Sequence, residues 1–281
     1  MKKCWLVLLM LFMSGCSSKL AYNNLNWLIY WYMDDYVELN DQQEAIFDKR
    51  LEQWIDWHRS EEMPRYIAHL NAVRNDLNDD SLTESRLLSH YEKATAHWQR
   101  LRAEITPELA NMAQKLSDEQ VIRLFAALEK DNKESESSIK EIDEKSPEEQ
   151  AKQRIEDLRE DMSSRIGALT DEQKAIIDRF APTFKRSSRL WLDYRRDLQR
   201  RARALFANRE NNPDFVDDLT ALMMNPEQYR SPEFLDVWNN NRTQHAKLAA
   251  EISQTLTAKQ KRKLVAQIDD MISDLEDLLD D

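Results

Sequence analysis

Glycine is almost missing from these 281 residues: there are two, with seven prolines. The tight turns and bulges of a β-sandwich or barrel need residues that accept unusual backbone angles, so an all-β architecture has almost no material here. Cysteine is equally scarce, with Cys4 and Cys16 alone. No glycine-rich phosphate loop, Gly-x-Ser-x-Gly or His-Glu-x-x-His occurs, which sets aside the chemistries those motifs carry. Long apolar runs are lacking too. The longest near the N-terminus is Trp5 to Met13, and at about 1.5 Å per residue it falls far short of the roughly 30 Å needed to cross a bilayer. With 33% of residues charged, the chain is not built as an integral membrane protein.

What is present begins with export. Lys2 and Lys3 precede the apolar run, the pattern of a signal peptide. Met13-Ser14-Gly15-Cys16 then resembles the lipobox of bacterial lipoproteins. The resemblance implies that residues 1–15 are removed and that Cys16 carries acyl chains, so residues 16–37 are expected to hold the lipidated N-terminus and, from their aromatic content, an aromatic first helix. The lipid bilayer is then the first expected partner, since two or three acyl chains hold a protein firmly where one does not. Cys4 leaves with the signal, so the mature chain has no disulfide despite an oxidising compartment. Ser17 rather than Asp follows the cysteine. By resemblance to enteric-type lipoproteins this implies the outer membrane, facing the periplasm.

The formal charge is −12, and removal of Lys2 and Lys3 makes it more negative, which argues against nucleic acid as a partner. The charge is unevenly placed. Residues 129–161 are acid-rich, whereas residues 185–209 carry nine Lys or Arg against only Asp193 and Asp197. Two helices paired within one molecule account for this, and a basic face for an acidic envelope partner is the sharper alternative.

Apolar residues recur at spacings of three and four throughout, as in Leu264, Ile268, Met271, Ile272, Leu275 and Leu278. The pattern predicts an all-α protein, an elongated array of helical hairpins or bundles. Prolines at 64, 107, 147, 182, 213, 226 and 232 are expected to end one helix or start the next. Between Leu20 and Tyr36 lie Tyr22, Trp27, Tyr30, Trp31 and Tyr32, a helix apolar nearly all round. It reads as the core helix of the N-terminal half, or alternatively as an aromatic belt at the bilayer surface.

One short pattern occurs four times: Leu39-Asn40 with Gln43, Leu116-Ser117 with Gln120, Leu169-Thr170 with Gln173, and Leu256-Thr257 with Gln260. Each predicts a capping box, the Asn, Ser or Thr capping a helix and the Gln reaching back to the cap amide, with the Leu at the staple position. Trp98 precedes Gln120 by the same interval that separates Trp238 from Gln260. This predicts two duplicated halves, residues 38–146 and 147–281, each opening and closing at one of the caps.

The Leu-Thr-x-x-Gln cores are similar to the motif of small periplasmic stress chaperones, although this chain is much longer. YNNLNWLIYWYMDDYVELNDQQ, followed by Trp57-His58-Arg59 and Met63-Pro64-Arg65-Tyr66, resembles an uncharacterised family of Gram-negative lipoproteins with a domain of unknown function. That resemblance implies no particular activity.

Asp34, Asp35 and His58 form the one cluster worth testing for acid–base work, although adjacent carboxylates on a helix diverge by about 100 degrees. The other histidines, His69, His90, His97 and His245, read as solvated or capping. His90 and His97 share a helix face but lie roughly 10 Å apart along the axis, too far to share an ion. No metal or cofactor is expected. Two functional classes follow: a non-enzymatic scaffold, binder or chaperone-like protein with an envelope or cell-wall partner, and an envelope enzyme or metal-binding stress protein using Asp34, Asp35 and His58. Convergence of those three residues in a pocket would favour the second, and a broad apolar groove the first.

Overall fold

The computed structural model describes residues 22–280. The expected signal segment and the expected lipidation site, Cys16, lie outside them. The described chain is all-α, and no strand occurs among the described residues. The helices are α1 (Leu25–Met33), α2 (Asp41–Trp57), α3 (Met63–Asn78), α4 (Glu84–Gln114), α5 (Asp118–Asp143), α6 (Pro147–Ile166), α7 (Asp171–Phe180), α8 (Ser188–Ala207), α9 (Phe215–Met224), α10 (Pro232–Gln254) and α11 (Ala258–Leu279). None of the described helices is long and apolar enough to cross a membrane.

All four expected capping boxes form, at Asn40, Ser117, Thr170 and Thr257. A fifth, Ser146 with Glu149, starts α6. Three cap leucines are partly buried against core clusters: Leu116 packs on the Phe125 cluster, and Leu169 and Leu256 on the Ile177 cluster. Leu39 lines a small apolar cavity of about 160 Å³ beneath the α2 and α5 caps. Gly167 ends α6 at φ +92°, a left-handed conformation that any side chain would strain.

One proline does not punctuate as expected. Pro107 lies inside α4, where it removes the helical bond to the carbonyl of Ala103. Pro64 does stand in the first turn of α3, after a π turn, His58–Glu62, that joins α2 to α3 without a break. There the Met63 N–H reaches back five residues to the carbonyl of His58.

The first helix is not a core helix. No residue of α1 is buried, and Trp27 is 64% exposed and Trp31 41%. Its neighbouring tyrosines face inward instead: Tyr30 donates to Asp48 (2.7 Å) and packs edge-on to Phe47, and Tyr36 donates to Asp131 (2.6 Å). A ring of apolar residues hid this division, because tyrosine hydroxyls find carboxylates on α2 and α5 whereas the indoles stack on each other.

The halves divided at 146 share cores. Ala110 and Phe125 pack with Phe206, Phe215, Leu219 and Leu222 from beyond the boundary. Leu77 and Leu82 pack with Ile268 and Ile272, and Met63 with Leu278. The cluster of Ile166, Ile177, Phe180, Leu248 and Ile252 belongs to one half. The acidic and basic segments are paired helices, as the milder reading has it. Arg196 bridges Glu136 at 3.0 Å, Arg189 reaches Glu136 and Asp143 at 3.6 Å, and Arg186 meets Asp143. Exposed pairs of this kind contribute little each, so they orient α8 on α5 more than they stabilise it.

Candidate functional site

The four cap glutamines meet in two pairs. Gln173 donates through Nε2 to Oε1 of Gln260 at 2.9 Å, and Gln260 returns the bond at 2.9 Å. Gln43 and Gln120 do the same at 3.0 and 2.7 Å. Each Oε1 also accepts the backbone N–H of its own cap. Each Nε2 also donates to the carbonyl two residues before its partner's cap: Lys115, Glu38, Thr255 and Ala168. The glutamine at the third helical position therefore joins two distant helix starts by side-chain amides, and both amides are saturated. Gln173 and Gln260 are buried, so the second clasp works in the dry interior.

A second polar cluster lies in the hairpin of α3 and α4. Glu62, His69 and Asp76 recur every seven residues along one face of α3, and His90 and His97 are seven apart on α4. Two helical turns bring such positions nearly onto one line. The antiparallel hairpin interleaves them into a series. Asp76 Oδ2 meets His90 Nε2 at 3.0 Å, His90 Nδ1 meets His69 Nε2 at 3.1 Å, His69 Nδ1 meets His97 Nε2 at 3.2 Å, and His97 Nδ1 meets Glu62 Oε2 at 3.2 Å. The rings of His69 stack on both neighbours, at 5.3 Å and near-parallel. Arg100 closes the chain, with Nη2 at 3.1 Å from Glu62 and 2.5 Å from His97 Nδ1.

The setting determines the charges. Glu62 has no exposed surface. Burial alone would raise its carboxyl, but the hydrogen bond and charge of Arg100 lead the interactions that outweigh it and hold it below the ordinary range. Asp76 is held down likewise, burial being overcome by the His90 bond, the Arg86 charge and the Ser81 bond. His69 is pushed down to about 4, first by burial and then by His90, His97 and Lys93. Tyr66, whose ring edge meets His97 at 4.8 Å, is pushed up to about 12, chiefly by burial and then by Glu62. Two ionised carboxylates thus flank a neutral central imidazole. The nitrogens meet pairwise in series instead of converging, and among the described residues no three His, Cys, Asp or Glu side chains are grouped to hold a metal.

The structure does not bring Asp34 and Asp35 together with His58. His58 sits at the opposite end of α1, bonded to Tyr22 at 3.1 Å, and the charge that acts on it is that of Glu62. Asp34 caps the C-terminus of α1, about 14 Å further along at 1.5 Å per residue, where its carbonyl accepts from Arg123. Nor are the other histidines solvated caps: three form the part-buried chain, and His245 packs on Phe184 at 4.5 Å. The sequence did contain a signal for the chain. Glu, His and Asp at a strict seven-residue repeat, facing His at the same repeat across a hairpin, is a polar stripe where an apolar one belongs.

An open groove of about 1030 Å³ lies between α5 and α8. Val121, Ile122, Phe125 and Phe206 are its apolar lining, with Lys130, Glu134 and Arg203 also along it. Ile122 is 70% exposed there. Trp98 and Trp238, the residues at equivalent intervals from their glutamines, each lie beside an arginine on the surface. Arg102 is 5.8 Å from the Trp98 ring, and Arg230 is 4.7 Å from Trp238 in a box completed by Trp191, Tyr194 and Phe234.

A family model, that of a family of unknown function (DUF6279), matches residues 35–235. The chain belongs to this family. The DUF6279 match takes in the whole histidine chain, the Gln43–Gln120 clasp and Gln173, and ends before Gln260. No curated protein and no solved structure matches.

Proposed function

We propose that this DUF6279 member is a lipid-anchored helical protein of the cell envelope that works by binding a partner rather than by catalysis. The observation that carries the reading is the contrast between the groove and the polar clusters. Every ring nitrogen of His69, His90 and His97 is already hydrogen-bonded within the chain, and Asp34 and His58 lie at opposite ends of α1. The α5–α8 groove instead offers an apolar lining with an exposed Ile122, the kind of surface that holds an unfolded or helical segment.

The lipobox at Met13 to Cys16 and Ser17 after it support an outer-membrane lipoprotein facing the periplasm. The exposed indoles of Trp27 and Trp31 suit a helix that begins nine residues after the acylated cysteine. The Leu-Thr-x-x-Gln likeness supports a chaperone-like role, and the shared register of the two clasps supports descent by duplication of a helical half. The test is aggregation of an unfolded client in the presence of the purified mature chain. Slower aggregation is expected, lost in Ile122→Asp and retained in Asp34→Asn, Asp35→Asn and His58→Ala. No slowing, together with a hydrolytic or metal-dependent activity abolished by one of those last three substitutions, would refute the binding reading.

A further inference from the structure

The histidine chain has an unequal proton count. Four contacts run from Asp76 through His90, His69 and His97 to Glu62, and three neutral imidazoles carry only three N–H groups. One contact must therefore lack a proton. The Arg100 guanidinium, a donor that does not deprotonate, points Nη2 at His97 Nδ1 from 2.5 Å, so that nitrogen is an acceptor. This places the protonless contact between His97 and Glu62, and turns the three N–H groups of the series toward Asp76.

We propose that the chain is a binding site for a single proton, taken from solvent at His97 Nδ1, and that its uptake exchanges the Arg100–His97 hydrogen bond for one from His97 to Glu62. The new N–H donates to Glu62 Oε2, and Arg100 must leave Nδ1, because two donors then face each other; it keeps Glu62 through Nε. A second proton would set two N–H groups against each other at an inner contact and place two cations in rings stacked at 5.3 Å. The chain therefore stops at one. His69, pushed down to about 4, keeps the centre neutral and leaves the charge at an end, beside a carboxylate. Glu62 ends the π turn between α2 and α3, and Arg100 stands on α4. Uptake of the proton thus changes how α4 is held to the bend that joins α2 and α3.

The charges around the series are few. Glu62, Arg65 and Arg100 lie at one end and Asp76 and Arg86 at the other, with Lys93 acting on His69 and Tyr66 against His97. From the elements packed on the hairpin, Asp269 of α11 is engaged by Arg74, Glu92 is held by Arg242 of α10, Arg50 of α2 meets Glu108, and Glu227, just after α9, holds Arg102. His58 follows α2 and bonds Tyr22.

The experiment is a nuclear magnetic resonance titration of the full mature chain, labelled with ¹⁵N at histidine and arginine, from about pH 8 to about pH 5. His69, His90 and His97 are expected to shift through one common transition that adds one proton to the three rings, with the Arg100 Nε signal moving over the same range. Three rings that each become fully charged at separate midpoints would overturn the proposal, as would an Arg100 signal that stays fixed through the transition. In His69→Gln the series is cut, so His90 and His97 should titrate independently; a shared transition that persists in this variant also counts against it. Should that variant not fold, the wild-type titration decides alone.

Discussion

Replacing Gln173 by Ala tests what the repeated pattern does. If the glutamine only completed a capping box, its loss would cost less than that of the cap residue Thr170, which contributes about 1 kcal/mol. The structure sets a larger value. Gln173 is fully buried and takes part in four hydrogen bonds: to Thr255 O (3.0 Å) and Gln260 Oε1 (2.9 Å), and from Thr170 N (3.0 Å) and Gln260 Nε2 (2.9 Å). At about 1 kcal/mol net each, the loss comes to about 4 kcal/mol, with a buried carbonyl and amide left unpaired in addition. Gln43→Ala breaks the same four kinds of bond at a half-exposed site where water replaces them, so about 1–2 kcal/mol is expected. In a double-mutant cycle of Gln173→Ala and Gln260→Ala, the two bonds between the side chains are counted in both single variants. The double loss should therefore fall short of the sum by about 2 kcal/mol. Urea melts of the four proteins measure this. A Gln173→Ala cost at or below that of Thr170→Ala, or additive losses, would show that the clasp contributes nothing beyond its caps.

Two further outcomes are expected. Cys16→Ala should leave a chain that is either uncleaved or released into the soluble periplasmic fraction, as followed by fractionation in high salt; retention in the outer membrane would refute lipid anchoring at that residue. Phe215→Ala should cost about 3–5 kcal/mol in denaturant melts, because Phe215 has no exposed surface and packs edge-on to Phe206 at 5.2 Å; a loss under about 1 kcal/mol would mean that the cluster joining α4, α5, α8 and α9 does not hold the two halves together.

Acid stability follows from the same groups as the proton site. His69 has its folded value lowered from about 6.5 to about 4, so the unfolded chain binds a proton that the folded chain refuses between those values. Its contribution is complete above about pH 6.5 and is lost as the pH falls toward 4. The lowered values of Glu62, Asp76, His58 and His245 act in the same direction.

Much of the architecture was legible in the chain. Helical periodicity, with almost no glycine, leaves only an all-α fold, and each Asn, Ser or Thr followed by Gln at the third position marks a helix start because both partners lie within one turn. The pairing of the acidic and basic segments was legible for a similar reason, since opposite charges on long helices have each other as the nearest solution. The inward tyrosines and outward tryptophans of α1 were not, because periodicity sees an aromatic ring and not the carboxylates of Asp48 and Asp131 that select the tyrosines. Pro107 was misread since a proline's local cost of about 3 kcal/mol says nothing of the packing on either side that outweighs it.

Local chemistry within a few residues, then, was decided by the sequence alone: the helices, their caps and the Leu-Asn/Ser/Thr-x-x-Gln pattern. Which cap meets which, and which histidine meets which, was decided only by the tertiary structure. Gln173 and Gln260 are separated by 87 residues, and His69 reaches His90 and His97 only because α3 and α4 run antiparallel and interleave two seven-residue repeats. A side chain's hydrogen-bonding capacity is a property of its residue type, but the partner that satisfies it is chosen by the packing of the helices that carry both.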